Sequence, residues 1–365
     1  IVATGISGGF MFYGLANTYS NGLYFIIPII GASLRLLLTG QIVGIRMGEF
    51  SNNLSVAEAM GDLYGQSVRI ITAISGIVVS VGYIAVQFQV IAKILSLLFE
   101  IEGTGVAVIA GTIVILYSAF GGIRAVLITD VFQFIIFGVF IPILALVVWN
   151  SLQDPSQVIN TLATNPKFNF TKLGNSHYEF LSAIVLMLFF AIPGMSPIDF
   201  QRIAMAKSIK QVQNSFTYAS AIDLLLTMFL IFVGILLLAD SNTLEPDKLV
   251  NYLFNHYAYP GLKGLIVIGI LAMAMSTADS FLNISTVFAI NDIIKPIKPN
   301  WQGSSVVGIR VFSLIVGVLA LLLALRTNNI LELMLLAGSL YMPIVTVPLL
   351  LAIFGFRSST RAVLI

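Results

Sequence analysis

The chain has 365 residues, 58% of them hydrophobic and 9% charged, whereas a soluble domain carries roughly a quarter charged residues and must cover its surface with polar groups. Soluble enzymes, nucleic-acid binders and disordered proteins are therefore excluded, and the chain reads as a polytopic, all-α integral membrane protein. A net charge of +2 adds little; the absence of Cys excludes disulfides, thiolate metal sites and Cys nucleophiles, and two His give no basis for a multi-histidine metal site.

A spanning helix needs about 20 mostly apolar residues. Long apolar runs with weak alternation argue for helices rather than a barrel. Ten segments qualify in chain order: 1–18, 23–46, 68–98, 104–121, 126–149, 180–201, 213–238, 263–289, 306–325 and 330–355. The first opens at Ile1 with no Met and no polar flank, and the chain stops soon after Arg361 beyond the last, so a longer native chain is expected on both sides. Residues 47–67 carry Glu49, Glu58 and Asp62 and predict a surface helix in an internal loop. Residues 150–179 and 239–262 are rich in Asn, Asp, Pro and Thr and predict external loops with short amphipathic pieces or lids.

Placing the loop after span 2 inside puts Arg46, Arg69, Arg124, Arg202, Lys207, Lys210, Lys295, Lys298, Arg310, Arg357 and Arg361 on the cytoplasmic side. Lys167, Lys172, Lys248, Lys263 and Arg326 lie outside. This bias satisfies the positive-inside rule. Ten spans divide into five plus five, and with an odd number per half the second half enters from the opposite side. That is the condition for an inverted repeat, with halves at 1–149 and 180–356 joined by the external loop 150–179.

Charged groups within lipid cost at least a few kcal/mol, so each needs a reason. Those in spans are Asp130, Asp223, Asp279, Glu332, Arg35 and Lys93. For Arg35 and Lys93 an ion pair or a snorkelling side chain suffices. Asp130 has two readings, a carboxylate favoured by a nearby helix N-terminus or a functional group. Span 8 contains Met275-Ser276-Thr277-Ala278-Asp279-Ser280, in which hydroxyls and a carboxylate cluster within one turn. Such hard oxygens suit a hard cation; the alternative is hydrogen bonding between helices. Span 1 reads Ala3-Thr4-Gly5-Ile6-Ser7-Gly8-Gly9, and span 6 carries Ala191-Ile192-Pro193-Gly194 followed by Pro197. Glycine weakens a helix, and interruptions in corresponding spans of two repeats point to a midplane site. Close packing through small residues is the other reading.

Three stretches resemble the sodium:solute symporter family. They are Tyr117-Ser118-Ala119-Phe120-Gly121-Gly122 with Thr129-Asp130-Val131-Phe132-Gln133, then Phe200-Gln201-Arg202 with Lys207-Ser208, then Ala274 to Ser280 with Leu282-Asn283 and Asn291-Asp292. Their order fits the family over essentially the whole chain. The resemblance implies a LeuT-type five-plus-five inverted repeat and sodium-driven uptake of a small solute across a bacterial inner membrane. It implies a main Na+ site from the carbonyls of Ala3, Ile6 and Met273 and the hydroxyls of Ser276 and Thr277. It implies a second sodium site or exit path at Asp130, Asp279 and Ser280.

The solute pocket implied by the same resemblance includes Gly5, Phe10, Ile29, Gln87, Ile192, Asp223 and Glu332. Phe10, Ile29 and Ile192 stand where sugar transporters of the family carry polar or gating residues. Asp223 and Glu332 replace a sugar-contacting Lys and Gln. The pocket is therefore expected to be apolar and acidic, suited to an amino acid, imino acid or amine; the other reading of Asp223 is a structural pairing with Arg35 or a tyrosine. Sugar or carboxylate symport is an alternative, and so is a sensor with a cytoplasmic kinase domain beyond this chain. Expected partners are sodium, the solute and the lipid bilayer, with no nucleic acid and no enzymatic chemistry.

Overall fold

The computed structural model describes residues 1–50, 53–101, 103–152, 154–169, 177–298, 306–327 and 341–364, and among these the secondary structure is helical. Among the described residues seven stretches are long and apolar enough to cross a membrane: Leu23–Phe50, Gln66–Phe99, Thr104–Gly122, Ala125–Ser151, Ile209–Asp240, Pro260–Ile297 and Val307–Arg326. Within them we use α3 for Leu23–Leu38, α5 for Gln66–Phe99, α6 for Thr104–Gly122, α7 for Ala125–Ser151, α11 for Ile209–Asp240, α12 for Pro260–Val287 and α13 for Val306–Arg326. The turn between α6 and α7 falls at Gly122, whose φ of 66° and ψ of 175° a side chain rarely adopts.

The remaining three expected spans are interrupted or only partly described. Span 1 is two pieces, α1 at Val2–Gly5 and α2 at Gly8–Asn21. Span 6 is α9 at His177–Ala191 and α10 at Pro197–Ala204. Of span 10, residues 341–355 are described and include α14 at Val347–Ile353; residues 330–340 lie outside the described residues.

Both interruptions restart in the same way. Ser7 is extended (φ −92°, ψ 162°) and its side chain accepts from the Phe10 N–H, capping α2. Ser196 (ψ 153°) accepts from the Asp199 N–H and caps α10, with Pro197 at its first position. Neighbouring hydroxyls occupy freed carbonyls. Thr346 donates to the Gly194 carbonyl at 2.6 Å and Tyr341 to that of Met195 at 3.3 Å. The expected breaks are thus present, and serine caps make each one a defined structure.

The expected surface helix at 47–67 exists as α4, Val56–Tyr64, but it is not superficial. Val56, Ala57, Ala59 and Met60 are fully buried, because small apolar residues occupy adjacent positions on more than one face. Its start is fixed by Ser55 accepting from the Glu58 N–H and by Glu58 reaching back to the Leu54 N–H. Arg69 of α5 then joins Asp292 (2.9 Å) and Glu58 (3.3 Å), and Ser55 donates to Asp292 at 2.6 Å. The two loops expected outside hold a helix α8 at Ser156–Thr164 and a short helical piece at Leu249–Tyr252.

α3 packs against α9 so closely that a Cβ on Gly31 would stand 2.1 Å from the Met187 carbonyl oxygen. Backbone cannot yield as a flexible side chain can. Gly31→Ala is expected to lower the thermal midpoint of the purified protein, with a cost of about 1–3 kcal/mol for overpacking. An unshifted midpoint would contradict this packing.

Candidate functional site

The two halves of span 1 meet the middle of α12. The carbonyls that close α1 have no partner within the helix, and the Thr277 hydroxyl is within donating distance of the Thr4 carbonyl at 3.3 Å and of the Met273 carbonyl at 3.2 Å. Ala3, Ile6, Met273, Ser276 and Thr277 are all buried here. The break thus brings the Thr4 carbonyl, absent from the sequence expectation, to Thr277 and Met273, with Ala3 beside Thr4 in α1 and Ile6 at its end. Ser276 turns to the neighbouring helix and donates to Asp130 Oδ1 at 2.5 Å.

Asp130 lies in α7 and is nine-tenths buried. Its other oxygen accepts from Arg202 Nη2 at 2.8 Å, and that nitrogen is 3.4 Å from Ser280 Oγ. Ser280 is in turn 3.2 Å from Thr4 Oγ1. A chain of contacts thus runs Thr4, Ser280, Arg202, Asp130, Ser276 across spans 1, 8, 6 and 5. Arg202, placed on the cytoplasmic side by the charge bias, belongs to α10, and its 9% exposed side chain is drawn in by the ion pair with Asp130.

Asp279 stands apart. It is fully buried, and neither carboxylate oxygen has a hydrogen-bond partner among the described residues. Burying an ionised carboxylate without a partner costs several kcal/mol, so a cation or a proton is what this position calls for. The structure brings Asp130 and Ser280 together through Arg202 and leaves Asp279 outside that network. The hard oxygens of Ser276, Thr277, Thr4 and Met273 fit Na+.

On the other side of the break, Gly5 is exposed and Asp223 of α11 faces it. A Cβ on Gly5 would be 3.9 Å from Asp223 Oδ1. The second Asp223 oxygen accepts from Ser33 at 2.6 Å. Arg35 is bonded to Asp199 at 2.6 Å. The structural pairing of Asp223 with Arg35 is accordingly replaced by Arg35–Asp199, because α10 places a carboxylate beside the α3 guanidinium. Asp223, half-buried, has no cationic side chain within 4 Å among the described residues.

Ile29 lies in a small apolar cluster with Phe25 and Ile231, against which Phe10 and Tyr13 pack. Ile192 is half-exposed at the span 6 break. Gln87 is fully buried with its amide committed, accepting from the Gly9 N–H and donating to the Tyr83 carbonyl, both at 3.3 Å. It braces α2 rather than lining open space. Glu332 lies outside the described residues. Sequence reasoning missed Asp199, Ser33 and the two serine caps. Asp199 directly precedes the Phe200-Gln201-Arg202 stretch, and its N3 position after Ser196 was a readable capping signal.

The sodium:solute symporter family profile matches residues 1–364. The chain belongs to the sodium:solute symporter family. Among its relatives are sodium/proline symporter 2 of Staphylococcus saprophyticus, 27% identical over 88% of this chain and 66% of that protein, and the human high affinity choline transporter 1, 24% identical over 99% and 65%. The human sodium/iodide cotransporter is 24% identical over 77% and 46%. The chain spans less than two thirds of the length of these relatives. By structure it is similar to a Na+-coupled sialic acid symporter in a substrate-bound outward-open state, with a TM-score of 0.83, 18% identity, and coverage of 99% of this chain and 78% of that one. It is also similar to MhsT in complex with L-phenylalanine, with a TM-score of 0.65, 13% identity, and coverage of 94% and 85%. These likenesses establish the LeuT-type fold of this multi-pass membrane protein.

Proposed function

We propose that this chain is the core of a sodium-coupled symporter importing a small organic solute that carries an ammonium or other cationic nitrogen. The observation that supports this most is the double use of one helix break. The Thr4 carbonyl on one side meets the Thr277 hydroxyl, and Gly5 on the other leaves room beside Asp223. Sodium gathered by Ala3, Ile6, Met273, Ser276 and Thr277 would hold α1 against α12 and so fix the wall of the solute pocket. Coupling needs sodium to bind one state better than the other, and a break whose carbonyls move apart on opening provides that difference. Each charge carried inward gains about 2.3 kcal/mol per 100 mV.

We assign residues 1–149 and 180–356 as the two five-helix repeats, and a second cation position to Asp279. Asp223 supplies the solute's counter-charge, held in place by Ser33. The sodium/proline and choline relatives are named for solutes with a positively charged nitrogen, which is consistent with that role.

Asp223→Asn in proteoliposomes, assayed with proline and choline as test solutes, is expected to raise the half-saturating concentration of the transported one at least tenfold, about 1.4 kcal/mol. Stabilisation of the purified protein by sodium alone is expected to persist. Unchanged half-saturation would remove Asp223 from the pocket.

A further inference from the structure

Arg310 lies one turn into α13, within the apolar stretch Val307–Arg326 and at the end of it assigned to the cytoplasm. Its guanidinium carbon stands 4.8 Å above the ring of Phe120, just before the turn at Gly122 that closes α6. No carboxylate lies within 4 Å of it among the described residues, whereas Arg35, Arg69, Arg202 and Arg357 each have one. Residues 299–305, which lead into α13, contain no Asp or Glu. A ring orients a guanidinium but does not cancel its charge. The flanks are apolar and open: Leu116 and Phe120 of α6 and Val307 and Val311 of α13 are exposed. Deeper along the two helices their seam is shut, since a Cβ on Gly317 would stand 2.6 Å from Ile115 Cγ1. A charged group in a span needs a counter-charge. This one sits at the mouth of a closed seam between surfaces suited to hydrocarbon, so the anion it calls for comes from the membrane.

We propose that Arg310 binds the phosphate of an anionic phospholipid in the cytoplasmic leaflet, with the acyl chains of that lipid lying on Leu116, Phe120 and Val311. The planar fork of guanidinium donors matches pairs of phosphate oxygens. The long arginine stem lets the charged head reach headgroup level while its methylenes stay on apolar surface. Lys295 and Lys298 are exposed where the stretch Pro260–Ile297 ends, so the same side of the membrane carries further positive charge. The negative surface potential of that leaflet reflects a supply of anionic lipid. Bound here, the lipid bridges α6 and α13. Ser313 of α13 is 2.9 Å from Thr286 of α12, so one pair of hydroxyls separates the bridged helices from the helix that carries Ser276 and Thr277. The site lies on the outer wall of the bundle and holds whichever solute the chain carries.

The test adds dioleoyl-phosphatidylglycerol to the delipidated full chain in detergent and counts bound lipid by native mass spectrometry. R310Q is expected to need about tenfold more lipid than the parent for the first adduct, the effect of one lost charge-assisted contact. R310K, which keeps the charge but loses the fork, is expected to fall between the two. R361Q, which removes an exposed arginine elsewhere on the cytoplasmic side, is expected to match the parent. The lipid is expected to raise the thermal midpoint of the parent and not that of R310Q, and equal midpoints for the two without lipid separate lost binding from lost fold. The proposal is overturned if R310Q binds phosphatidylglycerol as well as the parent does, or if the parent takes up phosphatidylcholine equally well. Displacement of the bound lipid by inorganic phosphate would also overturn it, by assigning the arginine to a soluble anion.

Discussion

Replacing Ser276 and Thr277 together with Ala is expected to raise the sodium concentration for half-maximal stabilisation more than 100-fold. The Thr277 hydroxyl is the group that reaches from α12 to the Thr4 carbonyl of α1, and Ser276 is its immediate neighbour. Each hydroxyl lost from a buried polar site leaves its partners unsatisfied, at about 1–3 kcal/mol. Two such losses sum to about 2–6 kcal/mol, a range whose middle exceeds the roughly 2.7 kcal/mol that a 100-fold change requires. The measurement is the thermal midpoint of the purified protein titrated with sodium against potassium, since a ligand that binds the folded state raises the midpoint by mass action. The single variants separate two roles. T277A removes the link between α1 and α12 and is expected to show most of the effect. S276A breaks the contact to Asp130 and is expected to show a smaller one. Sodium-dependent stabilisation that survives in the double variant would place the ion elsewhere, and Asp279, with both oxygens unpartnered, would be the next position to test.

What the sequence disclosed follows the range of the forces involved. Span positions rest on apolar run length, a local property, and the seven uninterrupted membrane helices overlap the expected segments closely. The breaks in spans 1 and 6 were legible because glycine and proline act on their own neighbours, and the LeuT-type fold followed from the three family-like stretches in spans 4–5, at the end of span 6 and in span 8. Partner choice was not legible. Arg35 and Asp199 are 164 residues apart, and Ser276 and Asp130 are 146 apart; no periodicity relates such positions. Arg202 shows the consequence: a basic residue after an apolar run reads as a cytoplasmic charge, and only the placement of α10 beside α7 makes it a buried partner. The α4 helix shows the converse, since its charges suggested a surface while Arg69 of α5 pairs with Glu58 and with Asp292 from below.

Removing that buried arginine gives the other large effect. Arg202→Gln is expected to lower stability by about 3–5 kcal/mol, the cost of leaving a buried carboxylate uncompensated. Both partners are 9% exposed, so solvent offers Asp130 little relief. Adding Asp130→Asn removes the stranded charge, and R202Q/D130N is expected to recover most of the loss, because a pair deleted whole leaves no ion behind. The network makes a second outcome specific to this site. Asp130 also accepts from Ser276, one residue from Thr277. With its guanidinium gone, Asp130 places an uncancelled negative charge beside the proposed sodium ligands. Sodium is therefore expected to stabilise R202Q more than the parent, measured as the difference in thermal midpoint between sodium and potassium, and this excess is expected to vanish in R202Q/D130N. A merely structural arginine would lower the midpoint equally in both salts. Equal midpoints for R202Q and the parent, or a double variant no better than the single, would mean that Arg202 and Asp130 are not the coupled pair that ties spans 5 and 6 to the ion site.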